Sequence, residues 1–277
     1  MTVMINPSSD AINVIANQVA KCCSQNVLAK DFVHIILSQI SLEDFELQEQ
    51  SSWVKILSSL FMASLLRTPG IANIRVNNEA VNSNDVSSNR STLEIISDDF
   101  PFLIDSFKIV LDNLGVTCYA IAHPVISVSR DSAGHLIAAP GDVNESVVWM
   151  EIERLSTEAA DTLANSIAQT LEDVHVSVAD WKAMRNKMLV VADIAGAQKV
   201  EGCEISPLEA HEFLQWAADN HFTFLGFREY RLVGEGETEQ LEVVTGTGLG
   251  ILRDNHHSAH SRPAKTLGGR NSKRKNL

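Results

Sequence analysis

Residues 92–130, TLEIISDDFPFLIDSFKIVLDNLGVTCYAIAHPVISVSR, constrain the fold most, because strand, turn, helix and strand follow one another there with their punctuation intact. Residues 92–97 are rich in β-formers and predict a strand. Asp98 and Asp99 come next as acceptors for the free N–H groups of a helix start, and Pro101 stands where a first helical turn tolerates a missing donor. Leu103, Phe107, Val110 and Leu114 then recur at helical spacing, with Asp105, Lys108 and Asp112 on the other side. Gly115 supplies the left-handed residue that ends many helices. Over residues 116–128 the period changes to two. Val116, Cys118, Ala120, Ala122, Ile126 and Val128 share one face of an extended run, and Pro124 within it calls for a sheet edge or a bulge.

Downstream, a turn at residues 131–134 and a Pro-Gly break at 140–141 lead into a predicted strand over 147–155. Val148, Met150 and Ile152 point to one face, and Glu151 and Glu153 are expected on a solvated one. Ser156 is a cap for a second helix, with Ala160, Leu163, Ile167, Leu171 and Val174 as its apolar stripe. Val174, Val176 and Val178 then alternate as a final strand. The order β, α, β, β, α, β is that of a ferredoxin-like split βαβ sandwich, an α+β fold with both helices on one face of an antiparallel sheet.

This unit is flanked on both sides. Three apolar stripes at helical spacing within residues 10–66 predict an amino-terminal helical segment over 1–80, closed by a single strand at 72–76 and an Asn- and Ser-rich linker. The βαββαβ module is assigned to 91–179. Residues 180–277 read as a linking helix and an incomplete second α/β unit. There, Ser206-Pro-Leu-Glu209 is a capping box with proline at the first helical position, and segments 221–232 and 240–246 form a hairpin.

At 277 residues and 45 % hydrophobic, the chain can bury a large core. Its net charge is −13, yet the six Lys or Arg after Asp254 meet no acid, so residues 1–254 carry −19. Such a surface repels nucleic acid, and the basic tail lacks the aromatic interleaving of a nucleic-acid arm. The most apolar run, residues 56–66, is too short to cross a bilayer, which together with the absence of a signal-like start points to the cytoplasm. Cys22, Cys23, Cys118 and Cys203 form no CxxC pair and suit reduced, mostly buried thiols.

The residues themselves display no catalytic constellation and no metal site. Gly246-Thr-Gly248-Leu-Gly250 departs from the dinucleotide spacing and reads as a glycine-rich connection. His256, His257 and His260 stand in a polar tail and are expected in solvent. Asp98 and Asp99 are better explained as caps than as an acid/base pair, and His123 as a partly buried polar side chain on a strand.

A family resemblance adds to this. SDDFPFLIDSFKIVLDNLGVTCYAIAHPVISVSRDSAGHL, residues 97–136, resembles the DDMPFLVDS…HPV…RD…G segment near the amino end of the very large bacterial NAD-specific glutamate dehydrogenases. ESVVWMEIERL (145–155), DVHVSVADWKAMRNKM (173–188), EFLQWAADNHFTFLGFREY (212–230) and GTGLGILR (246–253) resemble the same family in the same order, over roughly residues 30–268. The resemblance implies ACT-like regulatory modules here and glutamate and nicotinamide sites far downstream. It follows that this stretch holds no cofactor, while the parent enzyme uses NAD to convert glutamate to 2-oxoglutarate and ammonium.

The partners so implied are the catalytic region of the parent chain, further copies in a homo-oligomer and an amino-acid effector. The candidate ligand site is turn 98–103 with the facing strand, comprising Asp98, Asp99, Phe100, Phe102, Leu103 and His123. Its helix-start N–H groups suit a carboxylate, and Asp98 or Asp99 an ammonium. ACT modules that bind amino acids carry glycine after the proline of this turn. Phe102 stands there instead, which favours a packing role. The alternative is a free-standing ACT-type amino-acid sensor.

Overall fold

The computed structural model describes residues 6–78, 90–198, 204–234 and 240–258. The chain divides into two compact units, Met1–Ala168 and Gln169–Leu277. In the first, α1 (Ser9–Cys22), α2 (Leu28–Leu37), α3 (Leu42–Glu46) and α4 (Gln50–Ser64) precede a mixed α+β arrangement. Its strands are β1 (Asn73–Asn77), β2 (Arg90–Asp98), β3 (Cys118–Ala122), β4 (Val125–Arg130) and β5 (Leu136–Glu153). Helix α5 (Leu103–Leu114) joins β2 to β3, and α6 (Thr157–Ala197) follows β5 and continues into the second unit. All pairings are antiparallel, in the order β1-β2-β5-β3, with β4 also on β5. Pro124 divides the edge run into β3 and β4, as a residue without a donor must.

Register decides what each face buries. Leu93 lies opposite Met150 and Ile95 opposite Val148, whereas Glu94 lies opposite Trp149 and Ile96 opposite Val147. Val147 and Trp149, with Ile126 and Val128, share one core with Ile15, Phe32, Leu57 and Phe61 of the helical layer. Further buried apolar side chains of the unit come from Leu93, Ile95, Val148, Met150 and Ile152, from Leu103, Phe107, Val110 and Leu111 of α5, and from Ala160, Leu163 and Ile167 of α6. The sheet is therefore covered on both faces, and the solvated face expected for Glu151 does not exist. Glu151 is 6 % exposed and pairs with Arg90. Nor does the helical segment end before the sheet begins. β1 pairs with β2 from Asn73↔Ile96 to Asn77↔Thr92, so the boundary expected near 80–91 lies inside one unit.

Two helix ends differ in legibility. Gly115 closes α5 in the left-handed region at φ 69°, its N–H reaching Asp112 O while Val116 N–H returns to Leu111 O. At the start, Asp98 and Asp99 do not cap: the N-cap residue is Phe102, and no side chain bonds to the free N–H groups. Leu114 in the last turn is 41 % exposed, and Leu111 takes the buried position expected of it.

The strand expected at residues 174–178 is helical. No glycine or proline interrupts residues 157–195, and the stripe of Leu171, Val174, Ser177 and Met184 stays buried through that region. A continuing amphipathic face outweighs the weak β preference of three valines. Within the second unit, Ser206 caps α7 (Pro207–Trp216), its Oγ accepting from Glu209 N at 3.1 Å. A wide turn over Ala217–His221 follows, in which Asp219 and Asn220 leave helical geometry. β6 (Gly226–Phe227) pairs with β9 (Leu249–Gly250), and β7 (Tyr230–Val233) with β8 (Gln240–Val243), the latter being the anticipated hairpin. Its turn lies mostly outside the described residues. Among those described, no helix is long and apolar enough to cross a membrane.

Candidate functional site

Between β2 and α5 the backbone turns through Phe102 at φ 69° and ψ 10°. A residue with a Cβ costs about 1–2 kcal/mol in this region, so the position is one that glycine fits without strain. Phe102 keeps the conformation and adds a ring that is 53 % exposed. The α5 helix start has no side-chain cap hydrogen bond.

Asp98 is committed elsewhere. Its Oδ1 accepts from Arg67 at 2.6 Å, and Arg67 also donates to Glu145 Oε1 at 2.8 and 3.0 Å and to the Ile71 carbonyl at 3.2 Å. Arg130 completes the group, bonding both oxygens of Glu145 at 2.6 and 2.7 Å and the carbonyls of Ser64 and Gly134. Side chains of Arg67, Arg130 and Glu145 are 1 %, 6 % and 0 % exposed. Burial alone would push the Arg67 guanidinium down, yet hydrogen bonds and charge from Glu145 and Asp98 hold it above its ordinary value. Two cations and two anions thus close on one another where α4 ends, β5 passes and β2 stops. Gly134 is required here, since a Cβ on it would lie 2.5 Å from the Arg67 carbonyl.

Sequence reasoning missed this cluster, because its members are 15 to 78 positions apart. The one local signal was an acid, Glu145, just before the apolar run at residues 147–150.

His123 lies at the break between β3 and β4, where its Nε2 meets Ser146 Oγ at 2.6 Å. Burial of that end holds the imidazole below its ordinary value, against the opposing pull of the Asp99 carboxylate. Acid, histidine and serine are near one another, but Ser146 is 0 % exposed, so no acyl group can reach its hydroxyl. His123 also borders a cavity of about 810 Å³ beside β3, walled by Trp53, Trp149, Tyr119, Lys108 and Asp112. Of the six candidate residues, Asp99, Phe102 and His123 are exposed, Phe100 is half-buried, Leu103 is buried and Asp98 is held by Arg67.

In the second unit the glycine-rich connection is closed by the chain's own carboxylates. Gly246 N donates to Asp254 Oδ2 at 2.5 Å and Gly250 N to Asp180 Oδ2 at 2.7 Å, and Asp180 also pairs with Arg253. Arg253 holds the Asp180 carboxyl below its ordinary value. Negative charge therefore occupies the place a pyrophosphate would need, and these residues do not fit NAD. His256, expected in solvent, is instead packed, its Nε2 2.5 Å from Asp173 Oδ1. The other Asp173 oxygen accepts from Ser258. A carboxylate on the buried side of α6 draws the tail in, which no local pattern announces.

A family model for the glutamate dehydrogenase ACT1 domain matches residues 32–167, which span the sheet and most of the helical layer. The NAD-specific glutamate dehydrogenase of Halomonas elongata is 28 % identical over 233 residues, 80 % of this chain and 14 % of that protein. That of Pseudomonas aeruginosa is 30 % identical over 188 residues, 65 % of this chain and 12 % of its own. The Mycobacterium tuberculosis protein of the same name is 24 % identical over 178 residues, 58 % of this chain and 10 % of that one. The chain thus spans between a tenth and a seventh of the length of these relatives. Over residues 32–167, just under half of its length, the chain is similar to the glutamate dehydrogenase ACT1 domain family.

Proposed function

We propose that this chain is the amino-terminal regulatory and assembly region of an NAD-dependent glutamate dehydrogenase, non-catalytic by itself and acting through packing contacts. Its partners in this reading are the catalytic region of the parent polypeptide, which binds NAD and glutamate, and further copies of itself in the cytoplasm. The first unit is read as a ferredoxin-like sandwich in permuted form, β1 filling beside β2 the place that a closing fourth strand would take. The second is read as an incomplete α/β unit.

The observation that carries the reading is the closed cluster of Arg67, Asp98, Glu145 and Arg130. It spends the polar groups at the base of the turn on fastening the helical layer to the sheet, leaving none of these charges for a substrate. A buried pair resists being opened, because the partner left behind is an uncompensated charge. Amino-acid sensing is the second reading, favoured by the uncapped N–H groups of α5 and by Asp99 and His123 beside them. The test of the first reading is to incubate the chain with glutamate and NAD. No NADH should form above the buffer blank. Formation that disappears when a residue of this chain is substituted would overturn it.

A further inference from the structure

Strand β3 is the last of its sheet. It pairs with β5 on one side and with no described strand on the other. The cavity of about 810 Å³ runs along this open side, bordered without interruption by residues 115–123. One bank is the end of α5, with Lys108 and Asp112, and the other is the helical layer, with Gln39, Asp44 and Trp53. An open edge presents N–H and C=O groups at strand spacing, which a second extended backbone can pair.

We propose that this trough receives an extended, basic segment of a partner polypeptide, added to β3 as a further strand; the proposal rests on the packing role given above and names one surface for it. Three observations select this occupant. At Val125, the first residue of β4, the edge is already paired with an amide: Gln39 Nε2 donates to the Val125 carbonyl at 2.7 Å, and Val125 N–H donates to Gln39 Oε1 at 3.0 Å. These are the two bonds a neighbouring strand would make, and among the described residues β3 has no such partner on its outer side. Next, Ala120 and Ala122 pack against the core that holds Trp53 and Trp149, and both tryptophans border the cavity. Two small side chains leave a hollow at the sheet edge, and a strand laid beside them would set every second side chain into it. Last, the banks carry Asp44 and Asp112 against Lys108, which favours a basic segment, whereas a second copy of this chain would bring its own net −13.

The probe is a blocked peptide of about nine residues, alternating valine and lysine to match the length and charge of the trough. Titrated into the 277-residue chain, it should change tryptophan fluorescence saturably below about a millimolar, since Trp53 and Trp149 border the site. The same peptide N-methylated throughout keeps its charge and loses its donors, and it should bind at least about tenfold more weakly. Asp112→Lys, on the exposed side of α5, should weaken the unmethylated peptide about threefold. Hydrogen exchange locates the contact without any variant: amides of residues 118–122 should gain protection with peptide, while those of 230–233 do not change. No saturable binding, equal binding of the methylated peptide, an unchanged affinity in folded Asp112→Lys, or protection that arises away from β3 would each overturn the proposal. Protection of β3 that grows with the chain's own concentration, without peptide, would overturn it in favour of a second copy. Failure to bind with no NADH formed from glutamate and NAD would remove this strand site and leave the packing role standing, whereas NADH formation would overturn that role whatever the peptide does.

Discussion

In the first unit the sheet has helices over both faces, and Ile95, Val148, Met150 and Trp149 are at most 3 % exposed. In the second, the β7–β8 ribbon alternates just as regularly, yet its apolar face lies open. Alternation reports which side chains share a face. Whether anything covers that face depends on elements distant in sequence, as α1, α2 and α4 are from β5. The same contrast runs through the polar groups. The first unit gathers two arginines and two acids into one buried knot, while Lys187–Glu229 in the second, at 44 % and 43 % exposure, is half in water and contributes little.

The largest expected effect tests whether the first core is as closed as this implies. Phe107→Ala should cost about 3–5 kcal/mol in chemical denaturation, because a 0 % exposed ring leaves a cavity that the sheet and α5 cannot collapse into. Leu232→Ala in the ribbon, measured in dilute solution, should cost less than about 0.5 kcal/mol. Equal losses at the two positions would erase the difference between the units.

A smaller effect of opposite sign sharpens the reading of the turn. Phe102→Gly should stabilise the first unit by about 0.5–1 kcal/mol, since glycine holds φ near 69° without strain and the ring it removes is half in solvent. Destabilisation by more than that would mean that the ring packs on something essential.

The smallest effect is one of pH. His123 is held below its ordinary value of 6.5 in the folded chain, so the unfolded chain takes up the proton first as pH falls. Its contribution to stability is present above 6.5 and is lost as pH drops through the folded value, a slope that His123→Gln should remove. Denaturation midpoints followed from neutral to mildly acid pH would show it. An unchanged slope in the variant would assign the dependence to other groups.

Punctuation was the legible part of this fold. Gly115, Pro124 and the Ser206 capping box each act through their own backbone, so a local reading suffices. The strand expected at 174–178 failed because three valines were weighed without the buried stripe that runs past them on both sides. Asp98 and Asp99 looked like caps in sequence, but Arg67, 31 positions away, draws Asp98 into the charge knot. The candidate site was half legible for the same reason. Turn 98–103 and His123 could be found from local pattern, while the cluster that removes Asp98 from service could not.

Calorimetric titration of the chain with the twenty common amino acids bears most directly on the claim that the turn serves packing and not sensing. No saturable binding tighter than about a millimolar, roughly 4 kcal/mol of affinity, is expected, because Phe102 stands at the left-handed position that glycine would fill and Arg67 holds Asp98. Saturable binding at or below that level, abolished by Asp99→Ala, would contradict it and make this chain a sensor.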